Sequence, residues 1–195
     1  MKNIQLVLDV GGVLATDLDH FWSELVKQAQ VPYEAVRQKY RQDIREKLWQ
    51  GHIEEHEFWN WLYKTFPTIE VDSLKEALAN SLYTLEGMNH LNEWSRLADL
   101  HILSNHRSEW LLSLLDPIRP ILHTITISSL VGAAKPDKTI YHHCMAQLPS
   151  DKTVLFVDNK QENLEPAKAI GWHTIHAKPD QHWINQVTDF LHTYQ

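Results

Sequence analysis

The run Ile4, Leu6, Val7, Leu8 is short, apolar and partly β-branched, as a strand covered on both faces must be, and it ends on Asp9-Val10-Gly11-Gly12-Val13-Leu14. Beyond Leu14 the period changes. From Leu18 to Phe66 and from Ser73 to Leu85 the spacing predicts helices, with Phe21, Trp22, Leu25 and Val26 on one face. Tyr33, Val36, Arg37 and Tyr40 repeat that spacing behind a start signal at Pro32. Gly51 separates two helices, and Pro67 ends the one carrying Phe58, Trp59, Trp61 and Leu62. A new helix starts at Gly87, with Met88, Leu91, Trp94, Leu97 and Ala98 as its apolar positions.

From there strand and helix alternate. Strands are predicted at 100–104, 124–128, 153–157 and 173–176, and helices at 109–115, 138–147, 162–170 and 181–192. Strands separated by helices of this length make βαβ units and a parallel sheet with right-handed crossovers, an α/β fold. The helical block then reads as an insertion after the first strand. No repeat, low-complexity tract or Pro/Ser linker interrupts the chain, so the two parts are expected to pack on each other.

Composition narrows the function. The 195 residues carry 25 acidic and 18 basic side chains, a formal charge of −7, which argues against the clustered cations that nucleic-acid binding needs. The expected partner is a small molecule. The one cysteine, Cys144, makes no internal disulfide, the first residues lack a charged-then-apolar leader, and no apolar run approaches a membrane span. The expectation is a cytoplasmic protein that binds neither nucleic acid nor membrane, as a monomer or homodimer.

The chemistry gathers at strand ends. Asp9 closes the first strand, with Gly11 and Gly12 letting a ligand approach the backbone. Leu103 runs into Ser104 and Asn105, a hydroxyl and an amide; Lys135 stands just before a helix; and Val157 leads to Asp158 and Asn159, with Asn163 a turn later. Each has a structural explanation on its own, as a helix cap or a solvated charge. Together, a carboxylate nucleophile, a hydroxyl donor, an ammonium and a second carboxylate are what phosphoryl transfer through an aspartyl intermediate requires.

In their order and spacing, Asp9-Val10-Gly11-Gly12-Val13-Leu14, Leu103-Ser104-Asn105, Lys135-Pro136-Asp137-Lys138-Thr139-Ile140-Tyr141 and Val157-Asp158-Asn159-Lys160-Gln161-Glu162-Asn163 resemble the four motifs of the haloacid dehalogenase (HAD) superfamily. The stretch Trp49 to Trp59 is similar to the cap of the subgroup with sugar-phosphate phosphatases and the phosphatase domain of soluble epoxide hydrolases. The resemblance implies a Rossmann-like sheet sandwiched by helices, residues 1–15 and 86–195, with an inserted helical cap, residues 16–85. It implies a hydrolase of a small phosphorylated metabolite, with Asp9 as nucleophile, Ser104 as donor to the phosphoryl oxygens and Lys135 as the cation between nucleophile and phosphate. Gly11, Gly12 and Asn105 would contact substrate. Magnesium would be held by Asp9, the Gly11 carbonyl and the fourth motif at Asp158 or Asn159.

The sequence departs from that pattern twice. Gly11 stands where the phosphatases of the family carry a second Asp as general acid and base, and either a substrate with a good leaving group or a proton from Asp17, Asp19 or His20 is left to compensate. Asn159 stands where the direct magnesium ligand is usually Asp, which weakens binding unless Asp158 moves in. These losses open two alternatives, a weakly active or inactive binding protein and a metal-independent 2-haloacid dehalogenase, although the serines typical of the latter are missing from the fourth motif. His52-Ile53-Glu54-Glu55-His56 also fits an H-x-x-E-H zinc helix, without a third ligand. His142-His143-Cys144 are consecutive on a helix and point in different directions. Trp22, Trp49, Trp59 and Trp61 are expected to build the cap core, with one or two of them lining the pocket.

Overall fold

The computed structural model describes residues 2–194. Five strands, β1 (Ile4–Leu8), β2 (Asp99–Ser104), β3 (Leu122–Ile127), β4 (Thr153–Asp158) and β5 (His173–His176), form one sheet. Their order is β3-β2-β1-β4-β5 and every pair is parallel. β1 therefore lies at the centre with β2 and β4 on its flanks, and the chain reverses its direction of winding there. The carboxyl ends of β1, β2 and β4 open onto a common crevice, which is where open α/β sheets bind ligands.

Alternation along the strands sorts the core into two layers. Leu6 and Leu8, Leu100 and Ile102, and Leu155 and Val157 face one cluster, while Val7, Leu103 and Phe156 face the other. The first layer is covered by α7 (Leu91–Leu97), α8 (Ser108–Leu115) and α12 (His182–Thr193), the second by α10 (Lys138–Met145) and α11 (Gln161–Ala169). Short α6 (Glu86–Asn89) and α9 (Ser128–Val131) complete this part. The Asp116–Ile121 segment, which the hydrophobic spacing leaves unassigned, is a 3-10 helix with prolines at 117 and 120.

The helical block consists of α1 (Asp19–Ala29), α2 (Tyr33–Asp43), α3 (Arg45–Trp49), α4 (Glu55–Thr65) and α5 (Val71–Ala79). It has its own core, with Phe21, Leu25, Val36, Tyr40, Phe58, Leu62 and Leu74 at its centre, and Trp110 of α8 joins it. The helix expected to run to Leu85 stops at Ala79, because the next residues find partners on the outgoing chain. Thr16 N–H donates to Tyr83 O at 3.0 Å, and Leu85 N–H to Leu14 O at 2.9 Å. The two connections thus run side by side. The helical block is also fastened to the sheet by buried Arg107, whose Nη1 donates to Ile53 O at 2.6 Å and Leu48 O at 3.4 Å. No helix of the described residues is long and apolar enough to cross a membrane.

One sequence expectation in this block fails, and a reading of its neighbour agrees with the structure. α4 begins at Glu55, so His52 lies in the preceding turn and does not share a helix face with His56. His142 and His143 are exposed while Cys144 is buried, and among the described residues no group of three or more His, Cys, Asp or Glu could hold a metal ion.

Candidate active site

Asp9 follows β1 directly, its N–H still bonded to Val157 O of β4 at 3.0 Å. Its side chain is held by its own turn, the Val10 N–H donating to Oδ1 at 2.7 Å. Lys135 reaches the same oxygen from the loop after α9, Nζ to Oδ1 2.9 Å, and Asp158 Oδ2 at the end of β4 at 2.6 Å, and also donates to Leu103 O at 2.9 Å. One fully buried ammonium thus bridges two carboxylates from neighbouring strands. Such a charge is tolerable inside the fold only because it is paired and hydrogen-bonded on every side.

The electrostatics follow. Burial pushes the Asp9 carboxyl up to about 6 against the pull of Lys135, with Asp158 pushing it further up. Burial works against the charged form of Lys135 too, but Asp9 and Asp158 outweigh it and hold its pKa above the ordinary lysine value. Asp158 is saturated: its Oδ1 accepts from the Lys160 N–H at 2.8 Å, and Asn163 Nδ2 donates to both its oxygens at 3.0 Å. Asn163 is itself anchored, its carbonyl accepting from Tyr141 Oη at 2.6 Å.

Ser104, at the end of β2, faces the same crevice, and its hydroxyl hydrogen-bonds to nothing among the described residues. Asn105 faces the same crevice. Its amide closes a reciprocal pair on the backbone of Lys135, Nδ2 to Lys135 O at 2.8 Å and Lys135 N–H to Oδ1 at 2.7 Å, so it fixes the lysine loop. Gly12, at φ +73°, allows the turn and leaves room for Asn159, whose Nδ2 lies 2.0 Å from where a Gly12 β-carbon would be.

Asp9, Ser104, Asn105, Lys135 and Asn163 line a cavity of about 540 Å³ between the sheet and the helical block, whereas Gly12, expected to contact substrate, and Asn159 do not. Its floor holds Asp9, Gly11, Ser104 and Lys135, and Asp17 and Asp19 stand beside them; Trp22 and Trp49 reach in from the helices. The size suits a small metabolite. His20 faces a neighbouring hollow of about 680 Å³, with Gly12 and Asn159.

No protein-family model and no curated protein matches the sequence. Solved structures do match it. A HAD-family enzyme from Bacteroides thetaiotaomicron superposes with a TM-score of 0.82 at 19% identity, over 95% of this chain and 98% of that one. A predicted HAD-like family hydrolase from Porphyromonas gingivalis gives 0.77 at 20% identity over 98% of each chain. A dehalogenase gives 0.63 at 19% identity, over 97% of this chain and 96% of that one. This chain has the HAD fold. The Bacteroides enzyme has also been determined in complex with magnesium and inorganic phosphate.

Whether the HAD-fold site of this chain suits a cation turns on its oxygens. Asp158, one of the two ligands expected of the fourth motif, has both oxygens engaged and none left to offer. Asn159 has a buried Oδ1 without a hydrogen-bond partner, an orphaned acceptor of the kind a bound cation satisfies. Asp9 Oδ2 takes no hydrogen bond from the described residues, and neither does the Gly11 carbonyl. The oxygens left free are one of Asp9 and the Gly11 carbonyl, which line the cavity, and the Asn159 amide oxygen, which borders the neighbouring hollow; hard oxygen donors of this kind suit magnesium.

Sequence reasoning passed over two features of the site. His106 sits between Trp49 and Trp110, at centroid distances of 5.3 and 5.8 Å, and burial holds its imidazole down at about 4. Arg37, Arg41 and Arg45 all line the cavity from the helical block. Their four-residue spacing is a visible helical stripe, but Arg37 reads as part of an apolar face until the fold shows what lies beneath it.

Proposed function

We propose that the protein is a HAD-type hydrolase that cleaves a small phosphate monoester through a phosphoryl-aspartate on Asp9. The observation that carries this reading is the Asp9–Lys135–Asp158 bridge, set beside the free Ser104 hydroxyl at the cavity between the sheet and the helical block. The Bacteroides enzyme of the same fold, complexed with magnesium and inorganic phosphate, supports phosphate over halide.

In this mechanism the Asp9 carboxylate attacks phosphorus through one of its oxygens, in line with the ester oxygen, and the P–O bond to the alcohol breaks. Lys135 and the Ser104 hydroxyl stabilise the charge on the transferring oxygens, and Asn105, Asp158 and Asn163 hold Lys135 at its post. Asp17 gives its proton to the departing alkoxide, then takes one from the water that hydrolyses the phosphoryl-aspartate. Among Asp17, Asp19 and His20 the choice falls on Asp17, because its Oδ1 is 2.6 Å from where a Gly11 β-carbon would be, the place from which the family's second Asp extends. Partial withdrawal from water raises its carboxyl above the ordinary range, Lys160 pulls it down and Asp19 pushes it up, and the net rise is the direction a general acid needs. Magnesium, held by Asp9, the Gly11 carbonyl and Asn159, would offset the negative charge of phosphate facing the nucleophile.

The test is hydrolysis of p-nitrophenyl phosphate and a panel of sugar phosphates with magnesium, beside Asp9→Asn. Turnover in the wild type and none in Asp9→Asn is the expected result. Turnover that survives the substitution overturns the assignment, and halide release from a 2-haloacid without metal would replace it with dehalogenation.

A further inference from the structure

Part of the cavity wall belongs to the helical block, and its chemistry is not needed for phosphoryl transfer. Arg37 and Arg41 lie one turn apart on α2 and Arg45 opens α3, and all three line the cavity. In a chain of net charge −7, Arg37 and Arg45 have no carboxylate within 4.0 Å among the described residues; Arg41 has only a 3.6 Å contact to exposed Glu34. Cations left without carboxylates at a cavity wall are available to a ligand.

Arg37 is also set in place. Its guanidinium carbon lies 4.2 Å from the Trp22 ring centroid, with the Tyr40 and Tyr33 rings at 5.7 and 5.9 Å. Stacking on an indole face fixes the plane of the guanidinium and leaves its N–H groups free at the edge, the arrangement that grips phosphate or carboxylate in a bidentate way. Beside it Tyr40, 2% exposed, lines the same cavity with its hydroxyl buried and without a hydrogen-bond partner. A buried hydroxyl without a partner is costly unless something occupies the site. Glu46 and Asp19 line the cavity too, so the recognition is by directed N–H and O–H groups, not by a uniformly positive wall.

We infer that Arg37, Arg45 and Tyr40 form a second anion subsite, and that the substrate is a phosphate monoester carrying another anionic group, a phosphate or a carboxylate, at its far end. Arg41 borders this subsite. The inference rests on the phosphatase reading for the fate of the ester, but the subsite stands on binding alone.

Binding is measured by calorimetry on Asp9→Asn protein with magnesium, using glucose 6-phosphate as the singly phosphorylated probe, fructose 1,6-bisphosphate as the doubly phosphorylated one and 3-phosphoglycerate as the carboxylate arm. At least one dianionic-ended probe is expected to bind ten times more tightly than glucose 6-phosphate, and which one does so identifies the anion. Arg37→Gln and Arg45→Gln each collapse that ratio toward one; if Arg37→Gln loosens the packing on Trp22, Arg45→Gln, which stacks on no ring, carries the test. Tyr40→Phe lowers the ratio by a smaller factor. Equal binding of all three probes, or a ratio unchanged by both arginine substitutions, overturns the inference. A preference that survives in a protein whose wild type hydrolyses no ester leaves the subsite standing and removes the phosphatase reading, and hydrolysis without preference does the reverse.

Discussion

Asp17 Oδ1 lies 2.6 Å from the point where a β-carbon on Gly11 would stand, so the two positions compete for one volume. Where the family's phosphatases grow an acid from the second position after the nucleophile, this chain leaves that position bare and brings a carboxylate from six residues downstream. Asp17→Asn should therefore lower kcat for alkyl phosphates, which need a protonated leaving group, by about 10²- to 10⁴-fold. Aryl phosphates, whose leaving groups depart unassisted, should lose far less. Gly11→Asp alone should push the Asp17 carboxylate aside, because its β-carbon would stand 2.6 Å from Oδ1 at the end of a flexible side chain. Combined with Asp17→Gly it should recover the alkyl activity. A leaving-group series on these variants checks the point, and a uniform loss across the series would remove Asp17 from the chemistry.

The second prediction concerns Asn159. Its orphaned Oδ1 would offer magnesium a neutral ligand where a carboxylate is usual, and hard divalent cations favour charged oxygens. Asn159→Asp keeps the shape and adds the charge. Without magnesium it should melt below the wild type, since an unpartnered buried carboxylate costs at least about 1–3 kcal/mol. With millimolar magnesium the order should reverse, because binding to the folded state alone stabilises it by mass action. Thermal melts of both proteins across a magnesium titration decide it, and parallel responses would mean that this side chain does not touch the ion.

A third prediction uses His106. Burial between two tryptophans holds its folded-state pKa at about 4, below the ordinary 6.5, despite the Arg107 carbonyl and Glu109 pulling it up. As pH falls from 6.5 the unfolded chain takes up a proton that the folded protein refuses until about 4. Stability must therefore fall with pH across that window. Between pH 7 and pH 5 the loss from this one residue should be about 2 kcal/mol. Urea denaturation of wild type and His106→Leu at the two pH values isolates it, since His101, likewise held down at about 4, and Asp9 titrate in both proteins. Equal slopes would mean that His106 is protonated in the folded state.

What could be read from the chain and what could not divides along a physical line. The strand ends were legible because a buried strand has a short apolar run and Asp9, Ser104 and Asp158 each close one. The helical insertion was legible from its change of period. The end of α5 was not: Ser81–Leu85 continues a helical pattern, and only the hydrogen bonds of Tyr83 and Leu85 to the outgoing Leu14–Thr16 segment make it extended. Site assignments that depend on which neighbour takes which oxygen were equally hidden. Nothing in the spacing says that Asn105 bonds the Lys135 backbone or that Asp158 has no oxygen to spare. The arginine stripe had a visible period, but its meaning needed the floor of the cavity beneath it.

The last prediction tests how the helical block is seated on the sheet. Gly51, in the turn between α3 and α4, has φ +68°, and a β-carbon there would be 2.0 Å from the Ser129 carbonyl oxygen of α9. Both the left-handed backbone and the backbone-to-backbone approach demand glycine, so Gly51→Ala meets a strain and a collision with an atom that cannot swing aside. The block can respond only by lifting, and lifting stretches the Arg107 bonds to Leu48 O and Ile53 O. Gly51→Ala should lose about 2 kcal/mol or more of stability by urea denaturation. Because the substitution touches no group that meets phosphate, its effect on catalysis should be a raised KM for the natural-sized substrate, with p-nitrophenyl phosphate less affected. Arg107→Met, which removes the tether and leaves Gly51 intact, should reproduce that KM pattern. If Gly51→Ala is as stable as the wild type and binds as well, the contact at Ser129 does not hold the two parts together.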